Sequence, residues 1–239
     1  LSHLPYYSGF AGTTNPAAIE ASFMVKEMFK TDGMEKVFFT SGGSDSVETC
    51  LRLSRQYHRL RGEPTRTKFI SLKKGYHGTH FGGASVNGNN RFRIAYEPLL
   101  PGCFHLPSPY TYRNPFHERD PQKLAINIAQ AFEDEIAFQD KNTIAAFIME
   151  PIQGAGGVIV PDPSFMGLMQ EICERNGILM ISDEVITGFG RTGSWSGARH
   201  WNVKPDMMSM AKGITSGYFP VGAALMGEKV ADVFENSNS

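Results

Sequence analysis

The sequence has 239 residues, 23 Lys+Arg against 24 Asp+Glu for a formal net charge of -1, and 41% hydrophobic residues. That is one large domain or two small ones, and a balanced charge with no basic block gives no electrostatic reason to bind nucleic acid or an anionic membrane surface. No window approaches the roughly 20 apolar residues of a membrane span, LSHLPYYSGF at the start is no signal peptide, and Cys50, Cys103 and Cys173 are too scattered for a disulfide framework or a zinc site. The expectation is a soluble cytoplasmic protein with reduced cysteines and no metal. The chain begins at Leu1 instead of a methionine and runs out in a polar tail, residues 235–239, so its ends are not expected to be those of a natural domain.

In chain order, Asn15-Pro16 joins an N-cap to a first-turn proline and predicts a helix over residues 17–30. KVFFT at 36–40 has the length and apolar content of a buried strand. Ser41-Gly42-Gly43-Ser44 follows it, and a helix opens at Ser44, carries Asp45 and Glu48 near its start and ends near Gly62. Such a turn is either a plain cap or a cradle of free N–H groups for an anion such as phosphate; without a lysine after the glycines it is not a P-loop. TKFISL at 67–72 is the next strand, and after it Tyr76-His77-Gly78 sets two aromatic rings beside a glycine turn. His77 and His80 stand three apart, but no third ligand cluster accompanies them and metal binding is not favoured. Residues 89–119, rich in Pro, Tyr and Asn, show no period and read as a long functional or interface loop.

TIAAFIM at 143–149 is a third strand, and Asp162-Pro163 repeats the earlier cap device before a helix that Gly177 stops. GILMIS at 177–182 leads to Asp183, a carboxylate that needs a cationic or hydrogen-bonding partner after so apolar a strand, or else takes up a proton. Residues 188–193 match GxGxxG literally, yet no helix follows and no acid lies about 20 positions on, so the dinucleotide fingerprint is incomplete. DMMSMA at 206–211 leads to Lys212, whose amine reads as a salt-bridge partner for Asp183 or as a covalent group.

Strands alternating with helices predict an α/β fold, a mostly parallel sheet flanked by helices and joined by right-handed crossovers. Ligands of such sheets bind outside the carboxyl ends of the strands. An anion cradle, a carboxylate, an amine and an aromatic ring at neighbouring strand ends match one ligand, pyridoxal 5'-phosphate (PLP). Its phosphate suits a helix N-terminus, its aldehyde a lysine, its protonated pyridine nitrogen a buried carboxylate.

The blocks FFTSGGSDSVE, KKGYHGTHFGGASVNG, FIMEPIQGAGGVIVP, LMISDEVITGFGRTGSWSGARHW and PDMMSMAKGITSGYFPVGA are spread from residue 38 to residue 223. In this order they resemble the class III aminotransferases of PLP fold type I, and within them the ω-amino acid:pyruvate transaminase group. The resemblance implies that residues 1–239 are the PLP-binding large domain, without the N-terminal segment and C-terminal small domain of full-length relatives. It implies a transferase that moves an amino group from an amine or ω-amino acid donor to a keto acid such as pyruvate. It also implies a homodimer, with residues 89–119 contributing to the interface. Lys212 would form the Schiff base and Asp183 would face the pyridine nitrogen. Gly43 and Ser44 would hold the phosphate, Tyr76 and Val185 would cover the two ring faces, and Glu150 would lie close by. Tyr76, Ala155 and Ile186 would belong to the substrate pocket, Ala155 standing where ornithine and γ-aminobutyrate members carry a glutamate. GGSDSVE departs from the family's SGSEANE-like turn, since Gly42 lacks a serine hydroxyl. The same blocks are shared by PLP-dependent aminomutases and decarboxylating transaminases, and a non-catalytic PLP-binding fragment is a third reading.

Overall fold

Asn15 starts the first helix, α1 (Pro16–Phe29), by accepting the Ala18 N–H at 2.9 Å, with Pro16 in the first turn where no donor is lost. The computed structural model describes residues 12–237. Gly33, in the left-handed region at φ 81°, turns the chain into β1 (Met34–Thr40). The order continues α2 (Gly43–Leu60), β2 (Lys68–Leu72), α3 (Phe81–Val86), β3 (Cys103–Leu106), α4 (Pro121–Gln139) and β4 (Ile144–Met149). After these come α5 (Phe165–Asn176), β5 (Leu179–Asp183), α6 (Gly197–His200), β6 (Met207–Met210), β7 (Gly222–Gly227) and α7 (Glu228–Glu235).

The strands form one seven-stranded sheet in the order β1-β7-β6-β5-β4-β2-β3. Pairing is parallel from β6 through β5, β4 and β2 to β3, while β7 runs antiparallel to both β6 and β1. The expected α/β fold with a mostly parallel sheet is therefore observed. Apolar side chains cover both faces. One core takes Val25 and Phe29 from α1, Leu124, Ile128 and Phe132 from α4, and Phe165 and Met169 from α5. The other takes Val47, Cys50, Leu51 and Tyr57 from α2 and Val230 from α7. Covered on both sides, β4 is buried at all six positions, which is why its sequence is a continuous apolar run and not an alternation. No helix among the described residues is long and apolar enough to cross a membrane.

The structure adjusts three readings and agrees with a fourth. Asp162-Pro163 does not open α5: Asp162 Oδ1 accepts the Ser164 N–H at 2.9 Å and its hydroxyl at 2.5 Å, forming a turn, and the helix begins at Phe165. Residues 89–119 are not wholly irregular, because β3 pairs there with β2 at the sheet edge. The helices α4 and α7 and the strand β7 also stand where the sequence reading named no element. Residues 188–193 form turns, and only the four-residue α6 follows them, at Gly197.

Candidate active site

Five connections leave the carboxyl ends of β1, β2, β4, β5 and β6, and they meet in one cleft of about 290 Å³. Gly43, Ser44, Tyr76, Glu150, Asp183, Val185, Ile186 and Lys212 all contribute to its lining. Ala155 does not: it sits exposed on the turn after β4, and its neighbour Gly154 makes the inward contact, since a Cβ there would lie 2.6 Å from Ile186 Cδ1.

At the β1 end, Gly42 caps α2 without a side-chain bond, so first-turn N–H groups have no partner within the helix. Asp45 turns back to accept the Ser41 N–H and hydroxyl at 2.9 and 3.0 Å. Ser46 donates to the Met210 carbonyl at 2.8 Å, tying this helix start to the end of β6, two residues before Lys212. Gly43 is confined: a Cβ would stand 3.1 Å from Val185 Cγ1 and 3.5 Å from the Ala211 Cβ. Its lack of a side chain lets the anion cradle close onto the residues beyond β5 and β6. Ser44 Oγ accepts the Thr79 N–H at 3.0 Å, joining the cradle to the turn after β2.

On that turn, Tyr76 is half-buried, its ring 4.6 Å from Phe92 centroid to centroid, and its N–H donates to Glu150 Oε1 at 2.9 Å. Glu150 Oε2 accepts the Gly154 N–H at 2.9 Å. Burial pushes the Glu150 carboxyl up, against the opposing pull of nearby His77 and the two N–H donors. Asp183, the last residue of β5, is buried; Oδ2 lies 2.8 Å from His77 Nδ1 and Oδ1 accepts the Val185 N–H at 3.1 Å. The next residue, Glu184, is a buried brace. It accepts from Gly197 N–H, Ala198 N–H, Ser182 and Thr187, fastening the turn after β5 to α6, and burial raises its carboxyl too.

Lys212 follows β6 with φ 44°, a left-handed conformation uncommon for a residue with a side chain. Its side chain is exposed to the cleft and, among the described residues, has no ion-pair partner. The salt bridge to Asp183 considered from the sequence is not formed, because Asp183 is paired with His77 instead. Gly213 packs against Phe189, where a Cβ would meet the phenylalanine Cβ at 2.8 Å. The turns at 188–193 thus buttress the lysine from behind. The sequence marks His77 as a ring beside the glycine turn and as a neighbour of His80, not as the partner of Asp183; His80 is exposed, and among the described residues no group of three or more His, Cys, Asp and Glu side chains could hold a metal. The signal that could have found His77 is its place one residue from Tyr76 at a strand end.

Chemically, the cleft offers helix N–H groups for an anion, a buried carboxylate stiffened by an imidazole, and an amine free to react. The chain is 37% identical over 233 residues to putrescine--pyruvate aminotransferase of Pseudomonas aeruginosa, covering 98% of this chain and 51% of that protein. An amine transaminase from an uncultivated Pseudomonas species, solved in a PLP-bound form, superposes with a TM-score of 0.97 at 47% identity, over 100% of this chain and 54% of that one. A thermostable (S)-enantioselective omega-transaminase from Thermomicrobium roseum gives 0.95 at 36% identity, over 100% and 53%. The chain therefore spans about half the length of the relatives it matches. With residues 7–239 matching the family described as aminotransferase class-III, this chain belongs to the class III aminotransferases.

Proposed function

We propose that the chain is the PLP-binding large domain of a transaminase that moves an amino group from an amine or ω-amino acid donor to a keto acid such as pyruvate. The observation that carries this reading is the joint one: an amine at Lys212 with no ion-pair partner among the described residues, a buried Asp183 carboxylate and the open N-terminus of α2 face a single cleft. The residues fit PLP. Gly43 leaves the cradle open where a side chain would fill it, and the residues present offer partners for the cofactor's phosphate, aldehyde and pyridine nitrogen. Relatives named as pyruvate-using and omega aminotransferases support the transfer reaction over a mutase or a decarboxylase.

When bound, PLP supplies a carbonyl that takes up amines and a pyridinium ring that accepts an electron pair. The chain's own part is to hold and to move protons. Gly43 and Ser44 hold the phosphate by N–H groups, helped by the helix dipole. Tyr76 and Val185 pack on the ring faces, with Ile186 at the substrate side. Asp183 keeps a proton on the pyridine nitrogen by offering a negative charge, and His77 holds that carboxylate in place. Lys212 would hold the cofactor's carbonyl end through its amine, and that amine, when free, would be the base placed to take the proton from the donor carbon. Glu150 braces the Tyr76 backbone.

We further read the protein as a homodimer working in the cytoplasm. Exposed apolar side chains at Phe81, Ile94, Tyr96, Leu100 and Tyr112 support the first, and three free cysteines are in keeping with the second. The test of the cofactor reading is spectroscopic. Full-length protein incubated with PLP should show a visible absorption band that Lys212→Ala abolishes; a band that survives this substitution overturns the assignment.

A further inference from the structure

Asn87 caps the carboxyl end of α3, does not line the cleft, and is 1% exposed. Its side chain grips the backbone on both sides of His77. Oδ1 accepts the His77 N–H at 2.5 Å, and Nδ2 donates to the Gly78 carbonyl at 2.9 Å. Asn87 is itself held from behind, since Arg93 Nη1 donates to its carbonyl at 2.9 Å and to that of Ser85 at 2.8 Å. Gly88, the next residue, donates to the Gly75 carbonyl at 3.0 Å and accepts from the Lys74 N–H at 2.8 Å. The α3 segment and the turn after β2 are thus joined as one unit.

Among the described residues the imidazole of His77 makes one hydrogen bond: Nδ1 meets Asp183, and the buried Nε2 has no partner there. A ring bonded at one nitrogen can still pivot about that bond, so the rest of its orientation comes from the packing around the buried side chain and from its own main chain. Asn87 clamps that main chain. We propose that Asn87 is a positioning residue that acts on Asp183 through His77, fixing the direction in which the carboxylate presents its free edge to the cleft. The inference rests on the reading that Asp183 faces the pyridine nitrogen of PLP.

The test is a double-mutant cycle on the full-length protein with Asn87→Ala, His77→Phe and their combination. PLP affinity is measured by fluorescence quenching, the visible band of the bound cofactor by absorption, and thermal melting of the cofactor-free protein is recorded alongside. Asn87→Ala alone is expected to weaken PLP binding by about tenfold, within the coupling range of residues in contact, and to move the visible band. Added to His77→Phe it should change neither by more than about twofold. Equal losses in both backgrounds, or no change in either, overturn the proposal and leave Asn87 a purely structural cap. Should the alanine variant not fold, Asn87→Asp serves. It keeps the acceptor for the His77 N–H, loses the donor to Gly78, and is expected to shift the band only while His77 is present. Wild-type protein that binds no PLP overturns the functional reading itself; normal binding with additive losses overturns this inference alone.

Discussion

In the proposed function Asp183 carries the central electrostatic role, and its surroundings orient its carboxylate. Two donors are aimed at it, His77 Nδ1 and the Val185 N–H, and both favour an oriented acceptor at the end of a buried strand. Asp183→Asn keeps one acceptor oxygen and removes the charge. PLP should remain bound while turnover falls on the order of a hundredfold or more, the usual loss when a preorganised electrostatic partner is removed. Wild-type rates in steady-state assays of that variant would refute the role. Glu150 makes a separate statement about stability. Its carboxyl is raised chiefly by burial, so the folded chain holds that proton more tightly than the unfolded chain does. Its contribution is therefore complete below the ordinary carboxylate range and is lost as pH rises through the raised value. Between about pH 4 and 8, the melting temperature of the wild type should decline relative to that of Glu150→Gln as pH rises. Parallel melting curves would show that Glu150 does not titrate in this way.

Elements were legible where their signals are local. Asn15-Pro16, the apolar runs of β1, β2, β4, β5 and β6, and the left-handed Gly177 all stand where the sequence places them. Helix α4 carries equally local signals that the sequence reading did not use. Asp120 accepts the Lys123 N–H at 2.8 Å, Pro121 fills the first turn, and Leu124, Ile128, Phe132 and Ile136 recur every fourth residue on its buried face. Asp120→Ala should cost about 1 kcal/mol, a fall of roughly 2–4 °C in melting temperature by calorimetry. An unchanged melting point would mean the cap contributes nothing. Strand β7 is the opposite case. Gly222-Ala223-Ala224-Leu225-Met226-Gly227 has no β-branched residue, and it becomes a strand because β1 and β6 offer pairing edges on either side. Helix α5 starts late for a similar reason: Asp162 had the residues of a cap, but its carboxylate is used up by Ser164 one turn earlier.

At the scale of the molecule, large apolar side chains are left exposed at Phe81, which opens α3, and at Ile94, Tyr96, Leu100, Tyr112 and Phe116 on the segment from α3 to α4. A second copy of the chain is the expected cover, so light scattering of the full-length protein should return twice the protomer mass; a monomer at micromolar concentration would count against it. The sequence by itself determined the alternation of strands and helices and put Gly43, Ser44, Asp183 and Lys212 at strand ends, because caps, turns and hydrophobic periods are written within a few residues of where they act. Only the tertiary structure decided which of those ends face each other. It brings His77 to Asp183 across 106 positions, sets Glu150 under Tyr76 across 74, leaves Lys212 without an ionic partner among the described residues and turns Ala155 away from the cleft. Strand order and the close approach permitted by glycines such as Gly43 set those meetings, and neither is encoded in any local pattern.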